Sequence, residues 1–222
     1  MPTALIIGAS RGIGHELARQ YRHAGWRVIA TARKAEDLES LSGLGCEALP
    51  LDVNTLNDCA GLGWKLDDEK IDVAILNAGV YGPRADGLGT PDQADFDQVM
   101  HTNVLAAMRL LPIIAPLVES ADGRLAVISS RMGAISMRES ASGWLYRASK
   151  AALNSVLKDI SLSHKGAICV AFHPGWVRTE MGGEGADISV QESAEGIRGT
   201  LASRKAGDTG KFFNYDGSAL SW

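Results

Sequence analysis

The amino-acid sequence predicts an α/β fold, one doubly wound parallel sheet of about seven strands with helices on both faces, and three observations carry that expectation. Short β-branched apolar runs alternate with longer amphipathic segments along the whole chain, the rhythm of parallel strands joined by crossover helices. Several of the runs are hydrophobic without alternation, as strands are when both faces of a sheet are covered. The first run leads straight into a glycine cluster, Gly8-Ala9-Ser10-Arg11-Gly12-Ile13-Gly14, which opens the first amphipathic segment.

Taken in order, strands are expected at 4–8, where Ala4-Leu5-Ile6-Ile7 meets the glycines, at 27–31 through Val28-Ile29-Ala30, and at 46–51. Further strands are expected at 71–76, 124–129, 167–172 and 211–214. Helices are expected between them at 13–24, 34–42, 54–67, 92–119, 146–164 and 190–203. The 222 residues suit one domain spanning 1–222, since single α/β domains reach roughly 200 to 250 residues before splitting. In a doubly wound layout ligands bind at the carboxyl ends of the strands, near the reversal of strand order, and the motifs below fall at such ends. The Gly182-Gly183-Glu184-Gly185 stretch has the composition of the loosest segment, a candidate lid.

Composition narrows the function. A 45% hydrophobic and 22% charged chain with a formal charge of −4 is an ordinary globular protein, and its scattered basic residues form no nucleic-acid stripe. The opening Met1-Pro2-Thr3 runs into an apolar stretch too short for a signal peptide or membrane span, which points to a cytoplasmic protein without a membrane partner. Cys46, Cys59 and Cys169 are odd in number and far apart, so buried thiols are expected rather than disulfides. The five histidines lack ligand spacing, and no metal centre is expected. The acidic run Asp67-Asp68-Glu69 reads as a solvated helix end.

The glycine cluster is spaced G-x-x-x-G-x-G. Glycines permit a tight turn and a close backbone approach, while unpaired amides and the dipole at the helix start attract an anion such as a pyrophosphate. Gly8, Ser10, Arg11, Gly12, Ile13 and Gly14 are therefore candidate contacts for a dinucleotide. At the end of the second strand, where an NAD-binding chain carries a carboxylate for the ribose, this chain has Ala32, with Arg33 beside it and Arg11 in the glycine loop. Two guanidiniums without a competing acid suit a 2′-phosphate, favouring NADP(H) over NAD(H).

Tyr146 and Lys150 stand one helical turn apart in a segment of helix formers, so both side chains leave the same face. A nearby ammonium favours the phenolate and lowers a tyrosine from its usual pKa of about 10. On that basis Tyr146 is expected to serve as a proton acid or base.

These strings, with Asp52-Val53, Asn77-Ala78-Gly79, Asn103, Ser129-Ser130 and Pro174-Gly175-Trp176-Val177-Arg178-Thr179 in the same order, resemble the single-domain branch of the short-chain dehydrogenase/reductase family over essentially the whole chain. The resemblance implies a Rossmann fold and hydride transfer between NADP(H) and a small carbonyl or alcohol substrate. It implies that Asp52 and Val53 hold the adenine, that Asn77, Ala78 and Gly79 shape the central cofactor site, and that Pro174, Gly175, Val177 and Thr179 line the nicotinamide end. It further implies that Ser130 binds the substrate oxygen, Tyr146 transfers the proton, Lys150 fixes the ribose and lowers the tyrosine pKa, and Asn103 holds a water linking Lys150 to solvent. Such an arrangement aims a proton donor and an oxyanion donor at one developing charge.

The chain departs from the family pattern at Ile7, usually threonine, and at Leu76, usually asparagine. Ser130 lies 16 residues before Tyr146, a longer spacing than the family's usual one, which leaves Ser129 and Ser130 as candidates, with Ser130 assigned. That spacing, and the ending Gly210-Lys211-Phe212-Phe213-Asn214-Tyr215-Asp216-Gly217, are similar to the subgroup of C-factor-like signalling proteins and sniffer-type carbonyl reductases. An NADP-binding signalling or redox-sensing role ranks second. A nucleotide-sugar epimerase ranks third, since it requires an added substrate domain. Met132, Met137, Trp144, Trp176 and Met181 are candidates either for an apolar pocket or for the core. A homodimer is the expected assembly.

Overall fold

The computed structural model describes residues 1–84 and 87–222. Among the described residues the chain runs β1 (Thr3–Ile7), α1 (Gly12–His23), β2 (Arg27–Ala32), α2 (Ala35–Gly43), β3 (Glu47–Pro50), α3 (Leu56–Lys65), β4 (Val73–Leu76) and α4 (Gln93–Met100). It continues through α5 (Ala106–Glu119), β5 (Arg124–Ile128), α6 (Trp144–Ser163), β6 (Ile168–His173), α7 (Val190–Ser203), β7 (Lys211–Asn214) and β8 (Ala219–Leu220). The strands form one sheet in the order β3-β2-β1-β4-β5-β6-β7-β8. All neighbours are parallel except β7 and β8. The chain winds outward from β1 to β3 and returns on the other side of β1, so the crevice between β1 and β4 is where the strand order reverses.

Two apolar layers hold the helices to the sheet, and strand pleating sorts residues between them. Leu5, Ile7, Leu76, Val127 and Ala171 pack with Leu62 of α3, Leu110 and Ile114 of α5 and Leu157 of α6. Ala4, Ile6, Ile75, Ala126 and Phe172 point the other way, against Leu17 of α1, Leu41 of α2 and Ile197 of α7. Coverage of both faces is why β1 from Ala4 onward and the whole of β4 are apolar. Cys46, Cys59 and Cys169 are buried free thiols, and burial raises all three above the ordinary thiol range, Cys169 to about 12.

Three features differ from expectation. The helix expected over 92–119 is divided by a π-helical turn, His101–Leu105, between α4 and α5. The stretch Gln93–Glu119 is long and apolar enough to cross a membrane by length and composition, but Ala107, Leu110, Leu111 and Ile114 direct its apolar side into the sheet. The added strand β8 follows the turn Asn214–Ser218 and pairs antiparallel with β7. Glu69, expected to be solvated, accepts from both terminal nitrogens of Arg27 at 2.6 and 2.8 Å, while the same guanidinium reaches Glu47 at 2.7 Å.

The two departures from the family pattern face each other: Ile7 and Leu76 are register partners on β1 and β4, both buried in the same layer. An apolar pair therefore occupies the place of a polar one. Leu76→Asn alone is expected to cost about 2–4 kcal/mol by burying an unpartnered amide. The double variant Ile7→Thr with Leu76→Asn should lose less than the sum of the two singles, by about 1 kcal/mol, in urea unfolding. Strict additivity would show that the two positions do not interact.

Candidate active site

The crevice between β1 and β4 begins with a glycine loop fastened mainly by main chain. Asn77 and Ala78 both donate their N–H to the Ile7 carbonyl, at 2.9 and 3.0 Å, and the Asn77 amide donates to Gly8 O at 2.7 Å. Thr31 at the end of β2 supports the other side, its hydroxyl accepting from Gly8 N at 3.1 Å and its carbonyl from Ala9 N at 2.8 Å. Sequence reasoning passed over Thr31; its signal is a polar β-branched residue near the carboxyl end of a strand that is otherwise apolar from Val28 onward. A Cβ on Gly8 would lie 2.8 Å from the Ala78 backbone, and one on Gly14 would lie 2.2 Å from Gly8 O, so both glycines are demanded by the chain's own packing.

Helix α1 starts beneath this loop. Thr55, Asp92 and Ser189 cap α3, α4 and α7 with their side chains, whereas Arg11 gives α1 no side-chain cap. Among the described residues, the N–H groups of Gly12, Ile13 and Gly14 meet no protein acceptor. Free donors, a helix dipole and a surface kept bare by glycine fit a pyrophosphate. Ser10 is half-buried in the same loop, and Thr179 comes from the far side to within 3.4 Å of where a Gly12 Cβ would be.

The expected arginine pair is corrected in one respect. Arg11 is ion-paired with Glu180, so it does have a competing acid, in the segment after β6. Arg33 is exposed and, among the described residues, forms no ion pair. Asp52 shapes the turn after β3, its carboxylate accepting from Asn54 N at 3.0 Å and its own N–H donating to Asp58 at 2.8 Å, and Val53 is buried beside it.

After β6, Pro174 O accepts from Ser193 at 2.6 Å, and a Cβ on Gly175 would collide with Ile188 at 2.4 Å. Val177 is buried and bridged to Ile188. The Gly182–185 stretch expected to be loose is anchored at its start. Gly182 N donates to the Thr179 hydroxyl at 3.1 Å, Trp176 Nε1 donates to Gly182 O at 2.9 Å, and Arg84 donates to Met181 O at 2.9 Å.

At the ends of β4 and β5 the structure gathers Asn103, Ser130, Tyr146 and Lys150. The buried Lys150 ammonium donates to the Ile128 carbonyl at 2.8 Å and lies 5.7 Å from the Tyr146 ring centre. A Cβ on Gly79 would come within 3.3 Å of both Lys150 Nζ and Asn103 Oδ1, so glycine there leaves room for the lysine. The π turn carries Asn103, whose amide clamps Val80: Oδ1 accepts from Val80 N and Nδ2 donates to Val80 O, both at 2.8 Å. Nδ2 also donates to the Ser149 hydroxyl at 2.9 Å, and that hydroxyl donates to Tyr146 O at 2.8 Å. Ser149, which sequence reasoning left unassigned, thus couples the π turn to α6.

The two candidate serines separate. Ser129 is buried against α6, donating to Asn154 Oδ1 at 2.5 Å. Ser130 caps a 3-10 turn, accepting from Met132 N at 3.1 Å, and its hydroxyl is near enough to Tyr146 to favour the phenolate. Tyr81, also unanticipated, stacks on Tyr146 with ring centres 4.6 Å apart. Met137, Trp144, Trp176 and Met181 are exposed and Met132 is half-buried, so none of the five is a core residue.

Burial controls the proton affinities here. It pushes Tyr146 up to about 12, with the Ser130 hydroxyl opposing, and pushes Lys150 down to about 8. The expectation that the lysine charge lowers the tyrosine is reversed, because desolvation disfavours the charged form of each group and weakens the ammonium that was to help.

A family profile described as short chain dehydrogenase matches residues 2–187. The protein named C-signal from Myxococcus xanthus is 36% identical over 155 residues, covering 68% of this chain and 93% of its own length. A carbonyl reductase from Pseudomonas aeruginosa PAO1, crystallised in complex with NADP, superposes with a TM-score of 0.88 at 35% identity, covering 100% of both chains. The carbonyl reductase Sniffer of D. melanogaster superposes with a TM-score of 0.90 at 27% identity, again covering 100% of both.

The lysine carries a stability signature. Its folded pKa of about 8 lies below its ordinary 10.5, so between these values the unfolded chain binds more protons and stability rises with pH. Below pH 8 the burial cost is fully present, on the order of 3 kcal/mol. Lys150→Met is expected to remove the rise in urea-unfolding free energy across that window, and a slope equal to that of wild type would show that another group causes it.

Proposed function

This chain belongs to the short-chain dehydrogenase family, and from that membership we propose that it is a single-domain, NADP(H)-dependent reductase of small carbonyl compounds, or in reverse a dehydrogenase of their alcohols. The observation that carries the reading is the buried Tyr146 phenol, with the Ser130 hydroxyl beside it and the Lys150 ammonium 5.7 Å from its ring centre. The NADP complex of the Pseudomonas aeruginosa carbonyl reductase supports the choice of cofactor.

Gly8, Ser10, Gly12, Ile13 and Gly14 would hold the pyrophosphate with Arg11 at its edge. Asp52 and Val53 would hold the adenine, Asn77, Ala78 and Gly79 the middle of the molecule, and Pro174, Gly175, Val177 and Thr179 the nicotinamide end. The 2′-phosphate falls mainly to Arg33, since Arg11 is shared with Glu180. NADP(H), when bound, supplies the hydride.

The chain's own groups handle the oxygen and the proton. Ser130 donates a hydrogen bond to the substrate carbonyl oxygen, and Tyr146 delivers its phenolic proton to that oxygen as negative charge develops on it. A phenol held at about 12 keeps its proton throughout the neutral range, which suits reduction. Lys150 directs one N–H to Ile128 O and keeps two for ribose hydroxyls. The Asn103 amide is committed to Val80 and Ser149, so holding a water for Lys150 falls to its main-chain oxygen. A second reading, signalling through NADP binding with little turnover, is favoured by the C-signal relative.

Loss of NADPH absorbance with a panel of aldehydes, diketones, quinones and ketosteroids tests the first reading. Tyr146→Phe is expected to lower kcat about a thousandfold while NADPH still binds, and retention of most of the rate would remove Tyr146 as the proton donor. Tight NADPH binding with no turnover across the panel would instead favour the second reading. Arg33→Ala should weaken NADPH binding by about 10- to 100-fold and leave NADH binding unaffected, as titration of protein fluorescence would show. An equal effect on both cofactors would refute the phosphate contact.

A further inference from the structure

We infer that Trp222 is a positioning residue for the substrate: its main-chain oxygen and indole ring tether the segment between Ser130 and Tyr146 and set how bulky a carbonyl compound fits against it. The inference rests on the reading of Ser130 and Tyr146 as the reacting pair. Residues 135–142 are exposed throughout, so packing does little to hold them. Among the described residues, two anchors tie residues 135–142 to the rest of the chain by hydrogen bonds. Arg147 Nε of α6 donates to Ser142 O at 2.8 Å, and at the other end Ser136 donates to Trp222 O twice, from N at 3.1 Å and from Oγ at 2.6 Å. The bonds from Arg138 N to Ile135 O and from Ser142 N to the Ser140 hydroxyl stay within the segment and anchor nothing.

The Trp222 end is itself firmly placed. Its ring lies 5.4 Å from that of Phe212 at an interplanar angle of 14°, and Phe212 is completely buried. Strand β8 is paired to β7 through Phe212 with Leu220 and Phe213 with Ala219, so the tether leads back into the sheet. The segment it holds borders the reacting groups at both ends. Met132 Cε and the Tyr81 hydroxyl both crowd the α-carbon of Gly143, to 3.2 and 2.5 Å from where its Cβ would be, and Tyr81 is the ring stacked on Tyr146. Ile135 and Met137, exposed on either side of Ser136, supply an apolar rim whose position depends on that serine. Ser130 is held separately by its bond from Met132 N, so loosening the tether moves the rim more than the proton-transfer pair.

The test compares Ser136→Ala, Trp222→Ala and Trp222→Phe in the full chain, using hydrogen–deuterium exchange over residues 131–143 and KM values for a small aliphatic dicarbonyl and a bulky aromatic ketone. Loss of one tethering hydrogen bond is expected to accelerate exchange about five- to tenfold in Ser136→Ala, and to raise the ratio of the bulky to the small KM by a similar factor. Trp222→Ala should do the same or more, Trp222→Phe should restore both, and the Kd of NADPH should stay at its wild-type value. Should Trp222→Ala fail to fold, Ser136→Ala decides. Exchange and KM ratio both equal to wild type in Ser136→Ala would overturn the tether. Absence of wild-type turnover on both compounds, with exchange still accelerated, would overturn the proposed reaction while leaving the tether standing.

Discussion

A lysine ammonium buried at the end of β5 constrains most of what surrounds it. Burial disfavours the charge, and the protein answers with the Ile128 carbonyl at 2.8 Å and with neighbours small enough to admit it. Gly79 is one of these, and Gly133 is another, since its Cβ would meet the Lys150 backbone at 2.8 Å. Helix α6 must then keep a fixed height against the sheet, and two polar links hold it there. Ser129 binds Asn154, and Asn103 reaches through Ser149 to the first turn of α6. The π turn fits the same requirement. An extra residue per turn at this point lets a side chain leave a helix that otherwise packs on the sheet, and Asn103 is the side chain that leaves.

The sheet, the crossover helices and the strings that make the site were legible in the sequence because each rests on local chemistry: apolar runs, a glycine cluster at a junction, tyrosine and lysine one turn apart. The seven expected strands are all present, each end within one or two residues of its expected position. What escaped depends on pairs distant in the chain. The strand β8 has two residues, too few for a period-two pattern, although Asp216-Gly217 before it is a turn signal. Glu180 meets Arg11 across 169 positions, and Tyr81 reaches Tyr146 from a loop with no regular structure. The tyrosine's shift was misjudged for a related reason: composition of a helix face reveals a neighbouring charge but not how much water the fold removes from it.

Ile7 and Leu76 show how a departure from a family pattern can be silent. Each alone suggests a lost polar contact at the cofactor crevice. Together they form one buried apolar contact between β1 and β4, and the loop above them is secured by groups that do not depend on those side chains. The Ile7 carbonyl takes two N–H donors from the end of β4, and Thr31 comes in from β2. Main-chain bonds survive changes of side chain, which is why the glycine loop keeps its shape here while the polar residues beneath it are gone.

Selectivity at the two ends of the site follows different physics. At the cofactor end it is electrostatic and depends on pairing: because both members of the Arg11–Glu180 pair are largely exposed, water and salt screen it, and a phosphate dianion entering beside Arg11 competes with a single carboxylate. Arg33, with no such partner among the described residues, offers its guanidinium without that competition, so on the proposed reading discrimination between the dinucleotides would concentrate there. On the proposed reading the substrate end is bordered by the exposed Met137 and Trp144, in the connection between β5 and α6 and at its end, and by Trp176 and Met181, in the connection after β6; main-chain oxygens fasten both, Trp144 to Gly89 O, Trp176 to Gly182 O, and Ser136 beside Met137 to Trp222 O. Apolar walls discriminate weakly per methylene, by about 1–3 kcal/mol, unless their spacing is fixed. On the proposed reading the fastenings would therefore matter more to substrate choice than the identity of the hydrophobic residues they hold.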